Sequence, residues 1–292
     1  MDHPPRASRR QIRRRRQTAL VALTLLALAV IYFTLAATVF APINTHGARI
    51  SQLTVHSRAV GEDLGVTVLE PADGAGQLDK RPLLIFLHGR GGSNRTFAEN
   101  ESVFAGLAKL GGQAPVIAFP DGGDHGYWHD RREGSWGTYV MQEVIPQVTQ
   151  RYNTDPSRLA IGGISMGGFG AYDLALLHPG RFCAVGGHSP ALWFDGGETA
   201  PGAFDSAEDF NRHDVVGAVQ GDPGAFGDTP IWNDFGKGDP FKIYDKSFVA
   251  ALRAGDADLR ARTWPGGHDS SYWNRHWSAY LRFYANALAH CR

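Results

Sequence analysis

RLAIGGISMGGFG, residues 158–170, is the stretch on which the fold turns. A short apolar run leads into a serine flanked by glycines, and an alanine-rich helical pattern starts at Ala171. That order is strand, sharp turn, helix. In a Gly-x-Ser-x-Gly turn the serine holds a strained backbone conformation, and the flanking glycines let strand and helix pass where a Cβ would clash. Gly163, Ser165 and Gly167 stand at these positions. Ser165 is therefore expected to lift its hydroxyl above the C-terminal edge of a parallel sheet as a nucleophile, with its oxyanion facing a helix N-terminus.

Outward from the elbow, apolar strands and helical patterns alternate. Residues 50–55 and 65–69 read as a leading antiparallel hairpin, and 71–80 as a polar loop. The run 81–87 (RPLLIFL) has the unbroken apolar character of a strand buried on both faces, and it ends in His88-Gly89-Arg90-Gly91-Gly92. A helix is expected over 95–110, then a strand over 115–119 and a long aromatic loop, DGGDHGYWHDRREGSW. Further helices are expected over 137–152 and 168–177, with strands over 159–162 and 182–186. Residues 191–229, rich in Gly, Asp and Pro, break the rhythm and read as a cap insertion over the site. Order resumes with a strand at 230–235, a helix at 244–254, a strand at 259–264 and a closing helix at 271–290. This alternation predicts an α/β fold with a mostly parallel sheet and helices on both faces.

A serine hydroxyl needs a histidine base, and the imidazole needs a carboxylate to fix its tautomer. On such a sheet the three follow in the order Ser, Asp or Glu, His at successive strand ends. His268 follows the 259–264 strand through Pro265-Gly266-Gly267. Three aspartates compete for the third place. Asp269 adjoins His268 and cannot easily face its ring. Asp234 lies inside a strand pattern, where alternation aims it into a face of the sheet. Asp239 lies just past the strand, after two glycines, and is the expected partner. The oxyanion donors are expected to be the backbone N–H groups of Met166, directly after the nucleophile, and of Arg90, in the glycine-rich strand exit. Tyr127, Trp128, His129 and Trp136, in the loop beside that exit, are expected to line the substrate cleft.

FLHGRGG, the PDGG loop with Tyr127, Trp128 and Trp136, GISMGG, GKGDP and PGGHDSSYW together resemble the esterase D or S-formylglutathione hydrolase-like family of α/β-hydrolases, which includes secreted mycolyltransferases. The resemblance covers roughly residues 81–292. It implies an α/β-hydrolase fold, a triad of Ser165, Asp239 and His268, and acyl-ester chemistry without a cofactor.

The 292 residues have zero formal net charge, but seven arginines and one aspartate crowd the first sixteen positions and leave the body mildly acidic. Nucleic acid is not an expected partner. Residues 19–41 carry no charge, and the basic tail before them is expected to stay in the cytoplasm. The predicted layout is a basic tail (1–17), a transmembrane signal-anchor (18–42), a linker (43–49) and a catalytic domain (50–292) outside the cytoplasm, with secretion after signal cleavage as the alternative. Cys183 and Cys291 are read as unpaired, although an oxidising compartment permits one bridge. His125, His129, His188 and His213 lie near acidic residues, but their spacing matches no standard ligand set. They are read as surface loop residues, with no metal expected. Gly236-Lys237-Gly238 lacks the rest of a P-loop.

The expected activity is a serine carboxylic-ester hydrolase acting on a small-molecule or lipid or envelope ester. An acyltransferase serving a cell-envelope acceptor uses the same residues. A catalytically inactive binding module is the alternative from another class.

Overall fold

The unbroken apolar runs become strands buried on both faces in the computed structural model of the chain, which describes residues 9–39, 43–72 and 80–291. Two compact units are present, Met1–Ile43 and Asn44–Arg292. The first holds helix α1 (Arg9–Val39). The second begins with β1 (Arg49–His56) and β2 (Asp63–Glu70), followed by β3 (Leu83–Leu87), α2 (Glu101–Ala108) and β4 (Val116–Pro120). Two short strands, β5 (Asp130–Arg131) and β6 (Gly134–Ser135), precede α3 (Trp136–Thr138), which runs through a π-helical turn, Tyr139–Val144, into α4 (Ile145–Arg151). Then come β7 (Leu159–Ile164), α5 (Met166–Leu177), β8 (Ala184–His188), α6 (Ala207–Arg212), α7 (Val215–Gly221), β9 (Ile231–Gly236), α8 (Lys242–Ala254), β10 (Leu259–Trp264) and α9 (Ser270–Ala289).

One sheet runs in the order β1-β2-β4-β3-β7-β8-β9-β10. The leading pair is antiparallel and β2 meets β4 antiparallel, while every pairing from β4 to β10 is parallel. This is the mostly parallel α/β-hydrolase sheet. On one face Phe86 of β3 packs against Trp277 of α9 at 4.7 Å between ring centroids. On the other, Tyr172 of α5 meets Phe248 of α8 at 4.6 Å. The helix expected over 95–110 is shorter because Asn100 caps it: its side-chain oxygen accepts the Ser102 N–H at 3.0 Å, which starts α2 at Glu101.

Asp234 is aimed into the sheet's face, where its carboxylate is fully buried. Four neutral donors surround it. His188 Nδ1 lies 2.8 Å from Oδ1 and Trp232 Nε1 donates to the same oxygen at 2.6 Å, while the hydroxyls of Tyr272 and Tyr280 donate to Oδ2 at 2.7 and 3.0 Å. His188 Nε2 in turn accepts from Tyr284 at 2.9 Å. Burial holds the His188 pKa below its usual range, so the ring stays neutral and donates from Nδ1 alone. A side chain on Gly162 would collide with the Tyr284 hydroxyl, which explains a glycine in the middle of an apolar strand.

Two expectations change. Cys183 and Cys291 are joined by a disulfide, their Cα atoms 5.4 Å apart. Their 108-residue separation hid a proximity that only the packing of α9 beside β8 creates. The anchor over 18–42 is not carried by the fold: α1 starts inside the arginine cluster, residues 40–42 lie outside the described part, and among the described residues no helix is long and apolar enough to cross a membrane. Residues 73–79 of the polar loop and 1–8 of the basic tail likewise lie outside the described residues.

Asp234→Asn puts an NH2 where only acceptors are wanted. The variant is expected to lose about 3 kcal/mol of unfolding free energy. Urea unfolding measures this, and an unchanged midpoint would remove the network from the fold's supports.

Candidate active site

Ser165 sits between β7 and α5 at φ 56° and ψ −117°, a conformation that costs free energy for a residue with a side chain and persists only where its surroundings enforce it. Three backbone bonds do so. The Ser165 N–H donates to the His188 carbonyl at 3.1 Å, and its own carbonyl accepts from Phe169 and Ala191, each at 3.0 Å. The flanking glycines are obligatory: a Cβ on Gly163 would run into the Gly167 backbone, and one on Gly167 into the Leu87 carbonyl.

The exits of β9 and β10 are stitched together by backbone bonds. Lys237 N–H donates to Trp264 and Gly238 N–H to Gly266, both at 2.9 Å. This delivers Asp239 and His268 side by side. Asp239 Oδ2 lies 3.1 Å from His268 Nδ1, while Oδ1 accepts the Phe241 N–H at 2.8 Å. Its side chain is completely buried. His268 Nε2 lies 2.8 Å from Ser165 Oγ. With Asp239 an acceptor, the imidazole proton belongs on Nδ1, and Nε2 is left to accept the serine proton. The three residues singled out from sequence are therefore brought into one hydrogen-bonded line. Asp269 instead caps α9, accepting the Tyr272 N–H at 3.0 Å.

The loop after β3 lies against the serine, with a hypothetical Cβ on Gly89 only 3.3 Å from Ser165 Cβ. In that loop Gly91 N–H donates to Asp124 and Gly92 N–H to Gly89. The N–H groups of Arg90 and Met166 have no acceptor among the described residues, the condition an oxyanion site requires. His88 fixes the loop, its Nδ1 donating to the Gly89 carbonyl at 2.8 Å and its Nε2 accepting from Gly122 at 2.9 Å.

A cleft of about 1060 Å³ opens over Ser165, walled by Arg90, Arg95, Tyr127, Phe241, His268, Trp273 and Asn274. Of the four residues expected to line it, only Tyr127 does. Burial raises its phenol pKa, and the Arg90 guanidinium nearby opposes that rise. Trp128 is fully buried, wedged against Gly122 and Gly170, and donates from Nε1 to the His88 carbonyl at 3.2 Å. Trp136 packs on Gly123 and Gly126. His129 faces away, toward Asp209. The cause is backbone: Tyr127 and Trp128 take positive φ in succession, 49° and 61°, which turns consecutive side chains in directions that strand or helix periodicity does not foresee.

Phe241 and Trp273 were missed. Their ring centroids lie 5.1 and 5.2 Å from that of His268, and the signal was their closeness in sequence to Asp239 and His268. The histidines read as surface residues are also corrected: His129, His188 and His213 are buried, and of the four only His125 is appreciably exposed. No cofactor-binding arrangement is needed for the Ser, His, Asp line to work.

Known proteins share this arrangement of sequence and fold. The Esterase family model matches residues 57–284. An esterase of Mycobacterium tuberculosis is 30% identical over 155 residues, 50% of this chain and 33% of its own length. The S-formylglutathione hydrolase of Bos taurus is 29% identical over 164 residues, 51% of this chain and 57% of that one. The chain thus spans between a third and three-fifths of these two relatives. A ferulic acid esterase structure shares the fold with a TM-score of 0.73 at 23% identity, over 82% of this chain and 98% of that one. So does an S-formylglutathione hydrolase from Agrobacterium tumefaciens, with a TM-score of 0.69 at 21% identity, over 83% and 96%.

Trp128→Ala is expected to lose about 3–5 kcal/mol of stability, as large buried aromatics do. Trp273→Ala, on the cleft wall, is expected to alter ester kinetics while its melting temperature stays close to that of the parent. Paired melting curves and ester assays separate the two, and the reverse pattern would exchange the roles.

Proposed function

Since the chain belongs to the Esterase family, we propose that it is a serine carboxylic-ester hydrolase working through an acyl-enzyme on Ser165. The observation that carries this reading is the 2.8 Å approach of His268 Nε2 to Ser165 Oγ, backed by Asp239 at 3.1 Å. Ser165 Oγ attacks the ester carbonyl carbon as His268 Nε2 takes its proton. The Arg90 and Met166 amides hold the resulting oxyanion, and Asp239 stabilises the imidazolium. Collapse expels the alcohol, which leaves with the proton from His268. Water, deprotonated by the same nitrogen, then attacks the acyl carbon and frees the acid.

Hydrolysis is favoured over acyl transfer by the path of residues 191–229. Of that insertion only Ala200 lines the cleft, so Ser165 stays open to water. Aromatic walls from Tyr127, Phe241 and Trp273 fit an apolar or aromatic ester substrate.

The catalytic unit is further proposed to act outside the cytoplasm. The basic tail followed by an uncharged run supports this, as does the Cys183–Cys291 disulfide, a bond that persists in oxidising compartments.

Asp239→Asn is expected to fold and to lower kcat by about 10⁴, the cost of losing the tautomer. A fluorophosphonate probe should label Ser165 in the parent and nothing at that position in Ser165→Ala. Unlabelled Ser165 in folded protein would favour an inactive binding module. A periplasmic-type reporter fused to the C-terminus is expected to be active, and activity of a cytoplasm-dependent reporter instead would overturn the placement.

A further inference from the structure

Away from the cleft, three buried side chains converge from distant parts of the chain: His129 before β5, Asp209 on α6 and His213 just after it. One potential ligand atom from each lies within 4.8 Å of the others. The His129 ring is held between two oxygens. Nδ1 faces the Tyr127 carbonyl at 3.4 Å, and Nε2 faces Asp209 Oδ2 at 3.2 Å. Both oxygens are acceptors only, whereas a neutral imidazole carries a single N–H. Whichever tautomer the ring adopts, one nitrogen lone pair is left pointing at an oxygen lone pair. A cation between Nε2 and Asp209 removes the conflict.

That cation is a proton or a metal ion, and the surroundings discriminate. A proton resolves the contacts of His129 but leaves the convergence of His213 on the same point unexplained. His213 is prepared as well: its Nδ1 lies 3.0 Å from both oxygens of Asp173, so that nitrogen donates there. A carboxylate behind an imidazole is the usual outer support of a metal-bound histidine, fixing the tautomer and raising the basicity of the other nitrogen. The freed Nε2 of His213 has no hydrogen-bond partner among the described residues, and its ring centroid lies 4.5 Å from that of His129. Asp209 is likewise held, Oδ1 by Arg212 at 2.8 Å and Oδ2 by the Asp205 N–H at 2.8 Å. Two imidazoles and a carboxylate are a donor set for borderline first-row dications, zinc foremost, and the 3.2 Å between His129 and Asp209 matches the edge of about 3.3 Å of a tetrahedron with zinc-length bonds.

We propose that His129, Asp209 and His213 form a binding site for a zinc-class divalent cation, which staples the 191–229 insertion to the loop that presents Tyr127 to the cleft. Asp173, on α5, supports it from behind.

The test uses the untagged chain, stripped with chelator, refilled with zinc chloride and desalted. Elemental analysis is expected to find about one zinc per chain, and the melting temperature of stripped protein should rise when zinc is added. His129→Gln and Asp209→Asn should each hold below about 0.1 zinc and lose the rise, while His125→Gln, at an exposed histidine, keeps both. Parent protein holding below about 0.1 zinc, or His129→Gln holding as much as the parent, would overturn the site. Because a variant that fails to fold also loses metal, cobalt(II) titration of the parent gives a second reading. Visible absorption that saturates at one equivalent and is displaced by zinc supports the proposal, and no absorption overturns it.

Discussion

A carboxylate fully removed from water is tolerable only when its oxygens are saturated with donors, and Asp234 meets that condition with groups drawn from three elements. His188 comes from β8, Trp232 from β9 and the two tyrosines from α9. The carboxylate thus fixes the spacing of these elements more tightly than apolar packing, which tolerates small slips, could do. Every loop of the catalytic line is rooted in this centre. The carbonyl of His188 holds the Ser165 amide, and the carbonyl of Asp234 itself takes the Ser189 N–H at 2.6 Å. Asp239 leaves the end of the same strand as Asp234, and Tyr272 stands one helical turn past His268. A buried aspartate outside the Ser165, His268 and Asp239 line therefore sets the distances along it.

The parts of the site legible in the sequence were those whose chemistry forces a local pattern. A nucleophile elbow needs glycines at fixed offsets, and a strand exit that must turn a histidine or an aspartate over a sheet edge needs Gly and Pro nearby. Ser165, Asp239 and His268 all carried that mark. Asp234 was readable for the opposite reason, because strand alternation placed it in a face. The strands themselves were visible as unbroken apolar runs, since a parallel strand buried on both sides has no polar alternate.

What stayed hidden was direction and long-range proximity. Nothing in GYWHD says that two successive residues adopt positive φ, so one aromatic of the loop reaches the cleft while its neighbour is driven under the strand exit. His129 and Asp209 are 80 residues apart, and no spacing rule links them. The insertion was legible by composition but not by its path: Trp193 and Phe204 pack inward on Tyr127 and Phe169, with Phe210 behind Phe204, so it joins the packed body and does not form a lid.

The bridge between Cys183 and Cys291 makes the second half of the catalytic unit a covalent ring. Inside the ring lie the insertion, the Asp239 exit and the His268 exit, while Ser165 lies outside, eighteen residues before its closure. A single peptide cut in the exposed parts of the insertion would open the ring without releasing either product: the piece carrying Asp239 and His268 would remain tied to the piece carrying Ser165. In a protease-rich setting such a molecule could be nicked and still keep its working groups on one covalent body, so survival of activity would not require survival of an intact chain.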